Sequence, residues 1–164
     1  TIRPIHPDDA EMLQELVRNL SAQSRYFRFV SSIAELPPAM LSRFTLIDYD
    51  REMALVAVMK ERKAGADGEV VETERIVGVS RYITNPDRDS CEFSLVVGDD
   101  FGGRGLGSRL MLSIMEVARE KGLNEIEGLV LTKNPCMLKL MKTMGFTIKV
   151  FEEDPDFKLV TYQL

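Results

Sequence analysis

The chain has 164 residues, 45% of them hydrophobic and 29% charged, and its 21 basic against 26 acidic side chains leave a net charge of −5. That length suits one globular domain spanning residues 1–164 with a sizeable core. The acidic balance argues against a nucleic-acid partner, which selects a basic face. No run approaches the roughly 18 consecutive apolar residues of a membrane span, and the N-terminus lacks a charged-then-apolar leader, so a cytoplasmic chain with no membrane partner is expected. Cys91 and Cys136 fall in different predicted elements without metal-type spacing, so neither a disulfide framework nor a metal site is expected.

Taken in chain order, Thr1 to Ile5 reads as a short strand, at a sheet edge because of Pro4. Pro7 to Leu20 reads as a helix: Asp8, Asp9 and Glu11 favour its N-terminal end, and Ala10, Leu13, Leu16, Val17 and Leu20 share one side. Ser21 begins a second short helix, through about Phe29, and Ala39 to Thr45 reads as a third. Met53 to Met59 is a continuous apolar run, as in a strand buried on both faces. The charged, glycine-containing stretch from Glu61 to Glu74 reads as a long, mobile hairpin loop. Ile76 to Ile83 and Ser90 to Val97, joined by the turn Asn85-Pro86-Asp87, complete an antiparallel meander.

The helix from Gly105 to Lys121 carries Leu106, Leu110, Ile114, Val117 and Ala118 on one stripe and is stopped by Gly122. Glu125 to Leu131 is a strand, Asn134 to Met144 a helix, and two strands follow, to Phe151 and from Phe157 to Gln163. The class is therefore α/β (α+β), with a mixed, mostly antiparallel sheet of about seven strands flanked by helices. The order lacks the strand–helix alternation of a doubly wound fold.

The stretch Val96-Val97-Gly98-Asp99-Asp100-Phe101-Gly102-Gly103-Arg104-Gly105-Leu106-Gly107-Ser108 joins a strand to a helix N-terminus through a glycine-rich turn. Such a turn lets main-chain N–H groups converge on an anion, and the helix start adds unsatisfied donors. A Walker A loop is excluded, since no lysine precedes Ser108. A dinucleotide loop is excluded by its late place in the chain and by the spacing of Gly103, Gly105 and Gly107. A turn without any ligand stays open. Loop amides with Arg104 and Arg109 make a local positive site on an acidic chain.

Arg104-Gly105-Leu106-Gly107 resembles the pyrophosphate-binding loop of the GNAT superfamily of N-acetyltransferases, although Gly102 stands at the family's usual Gln/Arg position. Asn134-Pro135-Cys136-Met137-Leu138-Lys139-Leu140-Met141-Lys142-Thr143-Met144-Gly145-Phe146 is similar to the family's Asn-to-Gly-Phe segment, with Met141 where many members have a tyrosine acid. Ile2-Arg3-Pro4-Ile5, Pro7-Asp8-Asp9-Ala10 and Ser24-Arg25-Tyr26-Phe27-Arg28-Phe29 resemble the acetyltransferase domain of bacterial protein-lysine acetyltransferases, which often follows an acyl-CoA-synthetase-like region. A start at Thr1 then implies a C-terminal domain of a longer chain.

The resemblance implies acetyl-CoA as co-substrate, with Val96, Val97, Gly103, Arg104, Gly105, Leu106, Gly107, Ser108 and Asn134 against it and the Val96 N–H polarising the thioester. Asn134 also suits a helix cap. Glu92, the one charged side chain in its strand, shares a face with Ser94 and Val96. Partial burial would raise its pKa, and the resemblance makes it the general base toward a protein-lysine or other amine substrate. A solvent-facing glutamate is the alternative role. Arg25, Tyr26, Arg28 and Phe29 are candidates for acceptor contact, or else a packed face with solvated arginines. Alternative activities are transfer to a small amine or a protein N-terminus, and acyl-CoA sensing without catalysis.

Overall fold

The computed structural model describes residues 1–20, 38–46, 48, 50–98 and 105–164. One seven-stranded sheet runs in the order β1-β2-β3-β4-β5-β7-β6, with β1 Ile2–Pro4, β2 Glu52–Ala64, β3 Val70–Thr84, β4 Ser90–Val97, β5 Glu125–Leu131, β6 Thr147–Val150 and β7 Phe157–Gln163. Only β4 and β5 pair in parallel; the other neighbours are antiparallel. The described helices are α1 Ala10–Asn19, α2 Pro38–Thr45, α3 Leu106–Glu120 and α4 Pro135–Thr143. None is long and apolar enough to cross a membrane. The helix expected from Ser21 to Phe29, with Arg25, Tyr26, Arg28 and Phe29, lies outside the described residues.

Strand alternation divides the core in two. On one face Leu55, Ala57, Cys91, Phe93 and Leu95 pack under Leu110, Met111, Ile114, Met115 and Ala118 of α3 and Met141 of α4. On the other, Ala54, Val56, Ile76 and Val79 pack under Leu13, Leu16 and Val17 of α1. The apolar run of β2 is therefore buried on both faces from Ala54 to Ala57, as its composition requires. Gly122, at φ +83°, ends α3 as expected.

The stretch from Glu61 to Glu74 is not a loop. β2 and β3 continue as a two-stranded ribbon, paired from Val58↔Ile76 to Ala64↔Val70, and the turn occupies only 65–69. Opposite charges meet across the ribbon: Arg75 Nε lies 2.9 Å from Glu61 Oε1, and Lys60 Nζ lies 3.7 Å from Glu72 Oε1. Opposite charges on facing strands stabilise a ladder that polar composition alone conceals. The first helix also starts later than expected, since Pro7–Asp9 forms a 3-10 turn before Ala10.

That turn is anchored to the edge strand. Arg3 grips the buried Asp9 carboxylate through Nη1 and Nη2 at 2.7 and 2.8 Å, and His6 N–H donates to Asp9 Oδ2 at 2.8 Å. The hydrogen bonds from Arg3 hold the Asp9 carboxyl below its usual range, against the opposing effect of burial. A lowered acid contributes stability that is present above its unfolded value, about pH 4, and lost as pH falls through the folded one. Asp9→Asn is expected to cost about 2 kcal/mol at neutral pH and to flatten the fall in urea midpoint below about pH 4. An unchanged acid slope would show that the pair does not couple to folding.

Candidate active site

β4 and β5 share only the bridged pairs Ser90↔Glu125, Cys91↔Ile126 and Glu92↔Glu127. Both strands run on, β4 to Val97 and β5 to Leu131, without pairing to each other. A wedge opens between them, and its mouth lies at their C-terminal ends, where α3 follows β4 and α4 follows β5. Ligands of open α/β sheets favour this place.

The edge that β4 presents to the wedge follows from its ladder with β3. Asn85 N–H donates to Ser90 O at 2.9 Å at one end, and Gly98 N–H donates to Val77 O at 2.8 Å at the other. The register between them is unbroken, from Gly78↔Val97 to Thr84↔Cys91. Antiparallel alternation therefore turns the main chain of Val96 toward β3, and those of Leu95 and Val97 toward the wedge. The Val96 N–H, expected to face the ligand, is turned toward β3 instead, because sequence alone does not fix which edge a given N–H faces.

At the mouth, Gly105 holds φ +77° and a Cβ there would meet nothing within 4 Å. It precedes the first turn of α3, which has no side-chain cap and no acid. Leu106, Gly107 and Ser108 are half-buried in that turn. Gly107 fits closely: a Cβ would lie 3.3 Å from Leu140 Cδ2, 3.7 Å from Leu95 Cδ2 and 3.8 Å from Val97 Cγ2. Gly103 and Arg104, with Gly102, lie outside the described residues. Asn134 caps α4, its Oδ1 accepting from Met137 N–H at 3.3 Å. Met141 is fully buried in the core, so it brings no polar group to the wedge.

Glu92 lies on the opposite face from α3, level with Ser94 and Val96. It is exposed, so the partial burial expected of it is absent. Two neighbours went unsingled in the sequence. Glu127, bridged to Glu92 across the parallel pair, accepts a hydrogen bond at 3.1 Å from Asn85 Nδ2, which also donates to Ser90 Oγ at 2.8 Å. Alternation in Glu125-Ile126-Glu127 was the available signal. Arg81, buried and in register with Ser94, lays its guanidinium 4.6 Å over the Phe44 ring. On the α3 face, burial and then the nearby Glu127 charge push the Cys91 thiol up to about 12. Among the described residues, no three His, Cys, Asp or Glu side chains gather as a metal site.

A sheet whose one parallel pair splays beside a glycine-started helix defines an acyltransferase architecture, and comparison with known proteins agrees. Residues 1–147 match the acetyltransferase (GNAT) domain family. The chain is 36% identical over 155 residues to an acetyltransferase of Pseudomonas aeruginosa, covering 94% of this chain and 77% of that protein. It is 33% identical over 144 residues to the acetyltransferase Pat of Mycolicibacterium smegmatis, covering 88% of this chain but only 40% of that protein. The crystal structure of the GNAT domain of S. lividans PAT superposes with a TM-score of 0.84 at 27% identity, covering 99% of this chain and 89% of that one. The chain belongs to the GNAT acetyltransferase family and is an acyltransferase enzyme.

The two thiols differ sharply: Cys136 is exposed near the start of α4, and Cys91 is buried. A thiol reagent at about pH 8 is expected to consume one equivalent per native chain rapidly, with the second appearing only on unfolding. Two fast equivalents would place Cys91 at the surface.

Proposed function

We propose that this enzyme moves an acetyl group from acetyl-CoA to a protein lysine side chain, with Glu92 as general base. The observation that carries the reading is the wedge, whose open edge and helix start offer donors to one extended anionic ligand. Acetyl-CoA supplies the activated acyl carbon and a thiol leaving group that is tolerable unprotonated near neutral pH. Gly105, Leu106, Gly107 and Ser108 direct main-chain N–H groups and the positive end of α3 at the diphosphate, and Gly103 and Arg104 belong to the same grip by their place in the chain. The N–H groups of Leu95 and Val97 line the arm's path along β4, and one of them polarises the thioester carbonyl. With its Oδ1 occupied by the cap, Asn134 meets the donor through Nδ2.

The acceptor amine approaches from the face carrying Glu92 and Glu127. Two carboxylates there favour a cationic side chain, which must lose a proton before its nitrogen can attack, since a lysine titrates near 10.4. Glu92 takes that proton directly or through one water before the attack; the C–N bond then forms, and as the C–S bond breaks the nitrogen gives up its second proton to water. Glu127, held by Asn85, positions the cation beside it. Met141 holds no proton, so the departing sulfur leaves as thiolate or takes a proton from water. The acidic chain and its reduced cysteines fit a cytoplasmic setting.

Calorimetric titration with acetyl-CoA, and mass spectrometry after incubation with a lysine-bearing protein, a small amine and a peptide with only its N-terminus free, test the two halves separately. Absence of binding removes the donor assignment, and acetylation of only the small amine or the N-terminus removes the lysine. Glu92→Gln is expected to lower kcat about a hundredfold while leaving the acetyl-CoA Kd within about twofold, with residual turnover rising with pH as free amine grows. Unchanged turnover would take Glu92 out of the mechanism.

A further inference from the structure

We propose that the Phe93 ring is the stop that limits the acyl group to acetyl; the proposal rests on the donor reading above. An acyl group carried down the wedge meets its apex, where three directions remain. Within the sheet, the way is closed by the bridged pair Glu92↔Glu127. Toward α3 and α4, it is closed by Phe93, the first β4 residue past that pair, whose ring lies over Gly128 on β5. A Cβ on Gly128 would stand 2.6 Å from Phe93 Cε1 and 2.9 Å from Cζ. The glycine is what leaves room for the ring.

The ring has support behind it. Phe93 is 8% exposed; it meets Phe146 edge-on at 5.7 Å between centroids, and Phe146 meets Tyr162 at 5.3 Å. Leu95 and Val130 are buried on the same face. A close-packed group of this kind yields to an added methylene only with strain. The third direction is the face of Glu92, Ser94 and Val96, which the amine needs. A longer acyl chain must therefore either displace a packed aromatic or occupy the acceptor's place.

The test is the calorimetric Kd of CoA, acetyl-CoA, propionyl-CoA and butyryl-CoA for the full chain and for Phe93→Leu, with Phe93→Met as a second variant should the first fail to fold. Wild type is expected to bind butyryl-CoA at least about tenfold more weakly than acetyl-CoA, the usual scale for one or two unaccommodated methylenes. The variants are expected to close that ratio to about threefold or less, with the Kd of CoA itself within about twofold, and mass spectrometry should then find butyrylated acceptor. Wild type binding both donors equally, or a folded variant with an unchanged ratio, overturns the proposal. Acetyl-CoA binding beside an unchanged ratio sinks this proposal alone. Failure of wild type to bind either CoA or acetyl-CoA sinks the donor reading and this one together.

Discussion

The chemistry of this chain depends on a ladder that stops early. A parallel pair is somewhat weaker per residue than an antiparallel one, and here it ends after Glu92 and Glu127 although both strands continue. Beyond that point β4 keeps its bonds to β3 and β5 keeps its bonds to β7. Each strand is left with one edge of donors and acceptors that must find partners in water or ligand. An extended molecule with amides of its own meets that requirement as a missing strand would.

The width of the gap is set by packing rather than by hydrogen bonds. Leu110, Met111 and Ile114 of α3 are fully buried, and each contributes about 2 kcal/mol through the area it removes from water. Gly78 and Ser80 fix how closely that helix approaches. A Cβ on Gly78 would lie 2.7 Å from Leu110 Cδ1, and Ser80 Oγ donates to Leu110 O at 3.1 Å. The hydrogen bond alone is worth about 1 kcal/mol, so the apolar stripe holds the helix and the small residues choose its distance. Gly107 repeats the arrangement at the first turn of α3, against Leu140, Leu95 and Val97.

Much of this was legible in the residues. The apolar run at Ala54 to Ala57, the meander into Val97, the stripe of α3 and its glycine stop all follow from period and turn chemistry, and the structure has them where expected. What the sequence hid were relations between strands. Glu61 and Glu72 look like loop residues until they are paired with Arg75 and Lys60. The edge that Leu95, Val96 and Val97 show to the wedge depends on register, which no local pattern carries. Glu92 was legible as an acid in an apolar strand, but its exposure depends on what packs above it. Phe93 and Gly128 are unremarkable singly and acquire meaning only as neighbours across the last bridged pair.

Net charge and local charge point in different directions, and the fold reconciles them. A chain of −5 would repel an anionic donor, yet fields at a protein surface are set by nearby groups, since screening confines exposed charges to about 8 Å at physiological salt. The starts of α3 and α4 both lie at the mouth of the wedge, and α3 carries no acid in its first turn. Glu92 and Glu127 sit at the apex, on the other face. The two strands thus separate a site suited to an anion from one suited to a cation by the length of one short β-segment. Among the described residues the start of α3 meets no acid in its own first turn, so main-chain partial charges act there on an anion, while the carboxylates at the apex act on the opposite face.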